Sequence, residues 1–285
     1  MIISNKEFDQ IRQAIADGQE GVALAARVSK LTLGAAFEYS CANWFWEIAG
    51  VPNGLSFSKA LQSRFPSLGP ITNALKNGRV IVRRDRSVFS PFMTELRTLR
   101  TKDELVSDEF SLFQMRFSKS LERNGFGKEL GRAIAAALGE MADNIVQHSR
   151  QPATAHGIIA YQVISQAMCF AVADVGQGVL KSLSEAPAWK QLKTDREAIV
   201  AAVQDGATSR PQARHGDGFK QVHRALTGCN GYMRFRSGTA VLTLEGRTEP
   251  KTAVTKSTAV MGGFQLFVGC DLENRGEKFL IDSFY

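Results

Sequence analysis

A glutamate and an asparagine one helical turn apart, Glu140-x-x-x-Asn144, could do the first piece of chemistry in this chain. A helix-borne carboxylate can polarise a water or a hydroxyl. A carboxamide oxygen is a neutral donor suited to Mg2+, which keeps several waters and takes other oxygens from phosphates. Further along, the apolar run Phe170–Ala173 ends in Asp174-x-Gly176-x-Gly178. A carboxylate at a strand end accepts a hydrogen bond from an exocyclic amine such as that of adenine. Glycines beside it let the backbone approach a ring with no Cβ in the way. A third segment, Gly206-Ala-Thr208-Ser209-Arg210 and then Gly216-Asp-Gly218-Phe-Lys220, carries glycines into the start of a helix. Backbone N–H groups and the helix dipole favour an anion there, while Thr208, Ser209, Arg210, Arg214 and Lys220 add hydroxyls and positive charge. A magnesium nucleotide needs all three kinds of group, and ATP is the expected ligand. Each segment alone has a plainer explanation: an amphipathic helix with a polar shoulder, a tight turn capped by Asp, a helix-opening turn. His148, which extends the Glu140–Asn144 stripe, reads as a structural charge near a helix C-terminus.

These groups need elements to hold them. Ile134, Leu138, Met141 and Ile145 fall on one arc at helical spacing, which predicts a helix over 128–148 with the Glu140–Asn144 stripe along the margin of its buried face. Phe113, Phe117 and Leu121 mark a preceding helix, ended by Asn124-Gly125-Phe126-Gly127. Residues 157–164 and 168–173 read as a hairpin of strands. The polar stretch 181–215 holds one helical piece near 196–203, and 218–226 is helical. Asn230-Gly231 predicts a two-residue hairpin turn, with strands over 232–236 and 240–245. Upstream, 7–48 reads as helical, Val51-Pro-Asn-Gly54 breaks it, and a Ser-rich, Pro-containing segment runs to Pro70. Residues 79–83 read as a strand and 93–100 as a helix.

At 285 residues with ordinary apolar and charged fractions, the chain has ample core for one large domain or two modest ones. Its start has no basic-then-apolar leader pattern, and the most apolar window, 31–51, is interrupted by Glu38, Asn43 and Glu47, against a membrane span. Cys41, Cys169, Cys229 and Cys270 are far apart and form no CxxC, which predicts reduced, buried thiols in a cytoplasmic protein. The net charge of +7 is concentrated: between Lys76 and Lys102 eight Lys or Arg residues face only Asp85 and Glu95. That segment is a candidate phosphate or nucleic-acid contact. A solvated face or a contact to an acidic partner fits the same charges, and the scarcity of aromatics there argues against base stacking.

Taken together, the segments resemble the GHKL ATPase superfamily of gyrase-type topoisomerases, mismatch-repair ATPases, histidine kinases and anti-sigma-factor kinases. Ala137-Leu-Gly-Glu140-Met-Ala-Asp-Asn144 is similar to that family's N box, Asp174-Val-Gly-Gln-Gly178 to its adenine-binding G1 box, and Thr208 to Gly218 to its lid and G2 box. Ser237-Gly238-Thr239 is similar to its later Gly-Thr element, in which Thr239 would assist Asp174 at adenine. Lys220 stands where the family often has a third glycine. The resemblance implies an α/β fold, a two-layer α/β sandwich of the Bergerat type, over residues 109–285, with a mainly helical region of unassigned role over 1–108. It implies ATP and Mg2+ at Asn144, Asp174, Gly176, Gly178, Thr208, Ser209, Gly216, Gly218, Lys220 and Thr239, with Glu140 as catalytic base. No histidine precedes His148, so the usual phosphoacceptor helix of a histidine kinase is not expected in this sequence. Too few residues follow the ATPase region for the transducer domain of a topoisomerase. Two expectations remain: a regulatory ATPase or Ser/Thr protein kinase acting on a partner protein, or a nucleotide-gated interaction module. A nucleic-acid-binding ATPase is the weaker third.

Overall fold

A computed structural model of the chain describes residues 2–3, 5–66, 68–78, 95–150, 155–205, 207, 218–227, 229, 231–245, 249 and 252–273. The first part is helical. α1 (Asn5–Ala16) and α2 (Gly21–Ala26) flank a minimal parallel pairing of β1 (Ile2–Ile3) with β2 (Lys30–Leu31). α3 (Leu33–Ala49) is capped by Thr32, whose hydroxyl accepts from the Ala35 N–H at 3.2 Å, and ends at Gly50 in the left-handed region (φ 63°). It is buried almost all round, which is how a helix that is apolar on every side finds its place. The apolar window of the sequence is therefore the central helix of a packed layer. Among the described residues no helix is long and apolar enough to cross a membrane.

Val51-Pro-Asn-Gly54 does break the chain direction, but the Ser- and Pro-containing segment after it is not a loop. It forms α4 (Pro52–Arg64) and α5 (Leu68–Asn77). Pro52 occupies the first turn of α4, where the missing N–H has no intrahelical partner to lose. The expected strand at 79–83 lies outside the described residues. The helix expected over 93–100 is a correction: Glu95–Leu99 is a strand, β3. Its residues alternate with period two. Leu96 faces the N-terminal helices, while Glu95, Arg97 and Leu99 face the opposite side. Two charged residues on the inward face disguised that alternation. Each is paired by α7 (Asp108–Arg123): Arg116 Nε donates to Glu95 at 3.0 Å, and Arg97 donates to Glu109 at 3.1 Å.

The short α6 (Lys102–Leu105) precedes α7, and α8 (Lys128–His148) follows it. β4 (Gly157–Ile164) and β5 (Ala167–Ala173) form the expected antiparallel hairpin. α9 (Gly178–Ser184), α10 (Asp195–Val200) and α11 (Gly218–Thr227) lead to two long strands, β6 (Tyr232–Glu245) and β7 (Val254–Asp271). The sheet is five-stranded, in the order β3-β4-β5-β7-β6, with every neighbouring pair antiparallel. Asn230 lies outside the described residues, but the element before Gly231 is the helix α11 and not a strand of a hairpin. Leu226 of α11 is so close to Gly231 that a Cβ there would meet its Cδ2 at 2.2 Å. The two strands expected at 232–236 and 240–245 are one, kinked where the β6–β7 register shifts around Gly238.

The two faces of the sheet differ in side-chain size. Ala160, Ala167, Cys169, Ala171 and Ala173 on one face let α3 and its neighbours pack close. Tyr161, Met168, Phe170, Met233, Phe235 and Leu266 on the other meet α7, α8 and α11. The chain is α/β, and the sheet is covered on both sides, by α7, α8 and α11 on one face and by the N-terminal helices on the other. Cysteine chemistry is also corrected. Cys41 and Cys169 are free and buried, whereas Cys229, after α11, is bonded to Cys270 of β7, with Cα atoms 5.7 Å apart. Folding brings these distant cysteines together where α11 ends against the sheet.

Candidate functional site

On α8 the arc read from the sequence is the buried one: Ile134, Leu138, Met141 and Ile145 enter the core, and Glu140, Asn144 and His148 are half-buried at its margin. Asn144 Nδ2 makes only a long contact, 3.7 Å, to the Met141 thioether among the described residues. The end of α8 is tied to the loop after β5. The Gln177 N–H donates to the Ser149 carbonyl at 2.6 Å, its side-chain amide donates to the His148 carbonyl at 2.9 Å, and Arg150 pairs with Glu185 at 2.9 Å. Asn144, five residues from Ser149, thus stands about 7.5 Å along the helix from that junction. These contacts fix the end of α8, which carries the Glu140–Asn144 stripe further up, against the Asp174 loop.

Asp174 closes β5 and is 1 % exposed. Its Oδ1 accepts from the Gly176 N–H at 2.7 Å, its backbone N–H donates to the Phe264 carbonyl at 3.0 Å, and its carbonyl accepts from Gln265 Nε2 at 3.1 Å. Among the described residues its Oδ2 is buried with no hydrogen-bond partner. Burial pushes the carboxyl up to about 7, against the Gly176 and Phe264 backbone bonds that pull it down. A buried carboxylate oxygen without a donor is costly, and a site that receives an N–H from a ligand is one reason to keep it.

The glycines have reasons of their own. A Cβ on Gly176 would lie 1.9 Å from the Ser149 carbonyl oxygen, so close packing against the end of α8 requires this glycine. Gly178 opens α9 with φ 77°, a backbone region other residues rarely adopt. The next N–H, of Val179, donates to Ser237 Oγ at 3.0 Å, and Ser237 Oγ donates to the Gly263 carbonyl at 2.9 Å.

Thr239 is bonded to Asp195 rather than to Asp174. Its N–H and hydroxyl both donate to Asp195 Oδ2, at 2.8 and 2.9 Å, which ties the β6 kink to the start of α10. What lies against Asp174 is Gly262-Gly263-Phe264-Gln265 of β7, which the sequence reading passed over. The register jumps from Ser237↔Phe264 to Gly238↔Met261, so the two glycines bulge out of the strand. Gly263 has φ 72°, and a Cβ there would meet the Asp174 carbonyl oxygen at 2.0 Å. The legible signal was a glycine pair opening the alternating run 264–268.

Gly218 begins α11, whose Val222, Ala225 and Leu226 pack into the core shared with α8. Phe219 lies against Phe235, with ring centroids 4.6 Å apart, and Lys220 is exposed on the first turn. Thr208, Ser209 and Gly216 lie outside the described residues, as do Arg79, Arg83, Arg84 and Arg86 of the basic segment. Of the remainder, Lys76 pairs with Glu47, and Arg97 is buried against Glu109, so Arg97 is not part of a phosphate-binding surface. No group of three or more His, Cys, Asp or Glu able to hold a metal occurs among the described residues. Compared with known proteins, the chain matches no family model and no curated sequence.

Proposed function

We propose that this chain is a Mg-ATP-binding regulatory protein of the Bergerat type, with slow ATPase or Ser/Thr kinase activity toward a partner protein. The observation that carries the reading is Asp174: a buried carboxylate at a strand end, one oxygen held by Gly176 and the other without a donor. An adenine amine supplies that donor. The antiparallel sheet with α7, α8 and α11 against one face, and the junction of α8 with the Asp174 loop, agree with the resemblance. Bound Mg-ATP would supply the phosphoryl group and the charge that offsets its transfer. Asn144 offers a carboxamide oxygen toward the metal, Glu140 a carboxylate toward water or a partner's hydroxyl, and the start of α11 with Lys220 positive potential toward phosphate.

The test is calorimetric titration with ATP, with and without magnesium, of the wild type and of Asn144→Ala. Magnesium-dependent binding in the wild type that weakens at least tenfold in the variant is expected. Absence of heat in the wild type at millimolar ATP would sink the reading.

One observation favours the gated module as the second reading. Cys41 of α3 contacts the Asp174 carbonyl at 3.8 Å, so the N-terminal layer packs directly behind the site. Glu140→Ala separates the two: an enzyme binds ATP and loses turnover, whereas a gated module keeps its ATP-dependent partner.

A further inference from the structure

The N-terminal helices meet the sheet through charge as well as apolar packing. Arg234 of β6 donates through Nε to Glu38 of α3 at 2.8 Å and through Nη2 to Asp9 of α1 at 2.6 Å. Arg236, fully buried, donates to Asp9, to Thr258 Oγ1 at 3.2 Å and to the Ala259 carbonyl. Arg12 of α1, 3 % exposed, donates to the Val260 carbonyl. Those backbone acceptors exist because β7 bulges a second time. The register passes from Gly238↔Met261 to Ala240↔Ser257, so Thr258–Val260 lie opposite Thr239 alone. The Arg236 and Arg12 guanidiniums are thus bonded to the carbonyls of two consecutive bulged residues, Ala259 and Val260.

Two features of this cluster are left over. After all these bonds, Arg12 Nε, Arg12 Nη1 and Arg236 Nε are buried without a partner among the described residues. Among the described residues three guanidiniums (Arg12, Arg234, Arg236) are matched by two carboxylates (Asp9, Glu38), so the cluster carries one positive charge in excess. The strain falls on Arg12: burial and the neighbouring Arg236 pull its guanidinium down to about 9, against the raising effect of Glu38 and Asp9. An uncompensated buried charge is far more costly than an unpaired neutral group.

We propose that this cluster binds a small monovalent anion, chloride, between the guanidiniums of Arg12 and Arg236. A water would satisfy one or two N–H groups and leave the excess charge. A carboxylate of the chain would serve, but Asp9 and Glu38 are already engaged by Arg234 and Arg236. A divalent oxyanion would reverse the imbalance and needs more donors than the three nitrogens left. A single halide matches the charge, and it would accept from Arg236 Nε and from one edge of Arg12, whose Nε–H and Nη1–H point to opposite sides of the guanidinium. It would fasten α1 to the β6–β7 bulge, on the side of the sheet where Cys41 touches Asp174. This site does not depend on the nucleotide reading.

Thermal unfolding of the whole chain in sodium chloride and in sodium gluconate at equal ionic strength tests it. Bound chloride raises Tm by several degrees with saturation in the millimolar range, and bromide substitutes for chloride. Gluconate is too large for the site and, as a strongly excluded solute, would by itself stabilise the protein non-specifically, so the expected sign runs against the background effect. Arg12→Met should abolish the chloride dependence. If that variant does not fold, crystals of the wild type in bromide decide the matter: an anomalous peak between Arg12 and Arg236 is expected. A Tm no higher in chloride than in gluconate, or no anomalous peak, overturns the proposal and leaves a buried water.

Discussion

Asp174→Asn should stabilise the protein without ligand while removing its response to nucleotide. The carboxyl sits at about 7 in the folded chain because of burial, against 3.8 for the ordinary group. That gap, at about 1.4 kcal/mol per pH unit, corresponds to ~4 kcal/mol. The sign follows from proton counting. Between pH 4 and 7 the folded chain holds a proton that the unfolded chain has released, so stability is fully present below about 4 and is lost as pH rises through about 7. Above 7 the fold carries an ionised, half-satisfied carboxylate. Asn keeps an acceptor for the Gly176 N–H and removes the charge, so the Tm curves of the wild type and Asp174→Asn should nearly coincide near pH 4 and diverge progressively up to about pH 7. Full recovery of the ~4 kcal/mol corresponds to roughly 8 °C or more in a chain of this size; the amide left unpaired reduces the gain to a part of that. The assay is thermal unfolding from pH 4 to 8, with and without Mg-ATP. The wild type should gain roughly 2.7 kcal/mol at about a hundred times its dissociation constant, and the variant nothing. ATP affinity of the wild type should rise through pH 7, with release of a proton below it, because the ionised form is the better acceptor. Parallel pH curves for the two proteins would refute the buried carboxylate. A stabilised variant that still binds ATP normally would refute its role as the amine's acceptor.

Further outcomes test the packing around this group and elsewhere in the fold. Gly263→Ala, at φ 72° with Asp174 in the path of its Cβ, should cost roughly 2–3 kcal/mol by denaturant unfolding and weaken nucleotide binding together with it. Ser237→Ala removes the hydroxyl that joins Val179 to Gly263 and should cost about 1–3 kcal/mol, whereas Thr239→Val, which loses one exposed bond to Asp195, should cost under about 1 kcal/mol and leave ATP affinity unchanged. A Thr239→Val variant with tenfold weaker ATP binding would restore the threonine to the site. Non-reducing mass analysis after thiol blocking should find Cys41 and Cys169 modified only on unfolding, and Cys229 and Cys270 not at all. Reduction should then cost roughly 4 kcal/mol for a closed loop of 41 residues. Glu38→Ala strips a buried partner from Arg234 and should cost ~3–5 kcal/mol, measured by unfolding at neutral pH.

What was legible in the sequence follows from the range of the forces that fix each element. α8 and the β4–β5 hairpin are set by local periodicity, and their bounds were readable from apolar spacing alone. β3 was not, because Glu95 and Arg97 occupy inward positions that only Arg116 and Glu109 of α7 make tolerable, and no local pattern announces a distant ion pair. The same limit hides which glycine segment lies beside Asp174. Ser237-Gly238-Thr239 and Gly262-Gly263-Phe264 are both glycine turns before alternating runs. What distinguishes them is pairing: β7, not β6, is hydrogen-bonded to β5 and so lies beside Asp174. Strand order is a non-local property, and a hairpin whose longer strand returns to the middle of the sheet gives no local sign of doing so. Asp174 itself was identified by residue type and position, but the feature that makes it a candidate binding group was not in the sequence. An Asp at a strand end is commonplace. It becomes a site only when Gly263, Phe264 and Gln265 seal it from water while leaving Oδ2 without a donor, and that is a statement about four distant residues that the fold alone assembles.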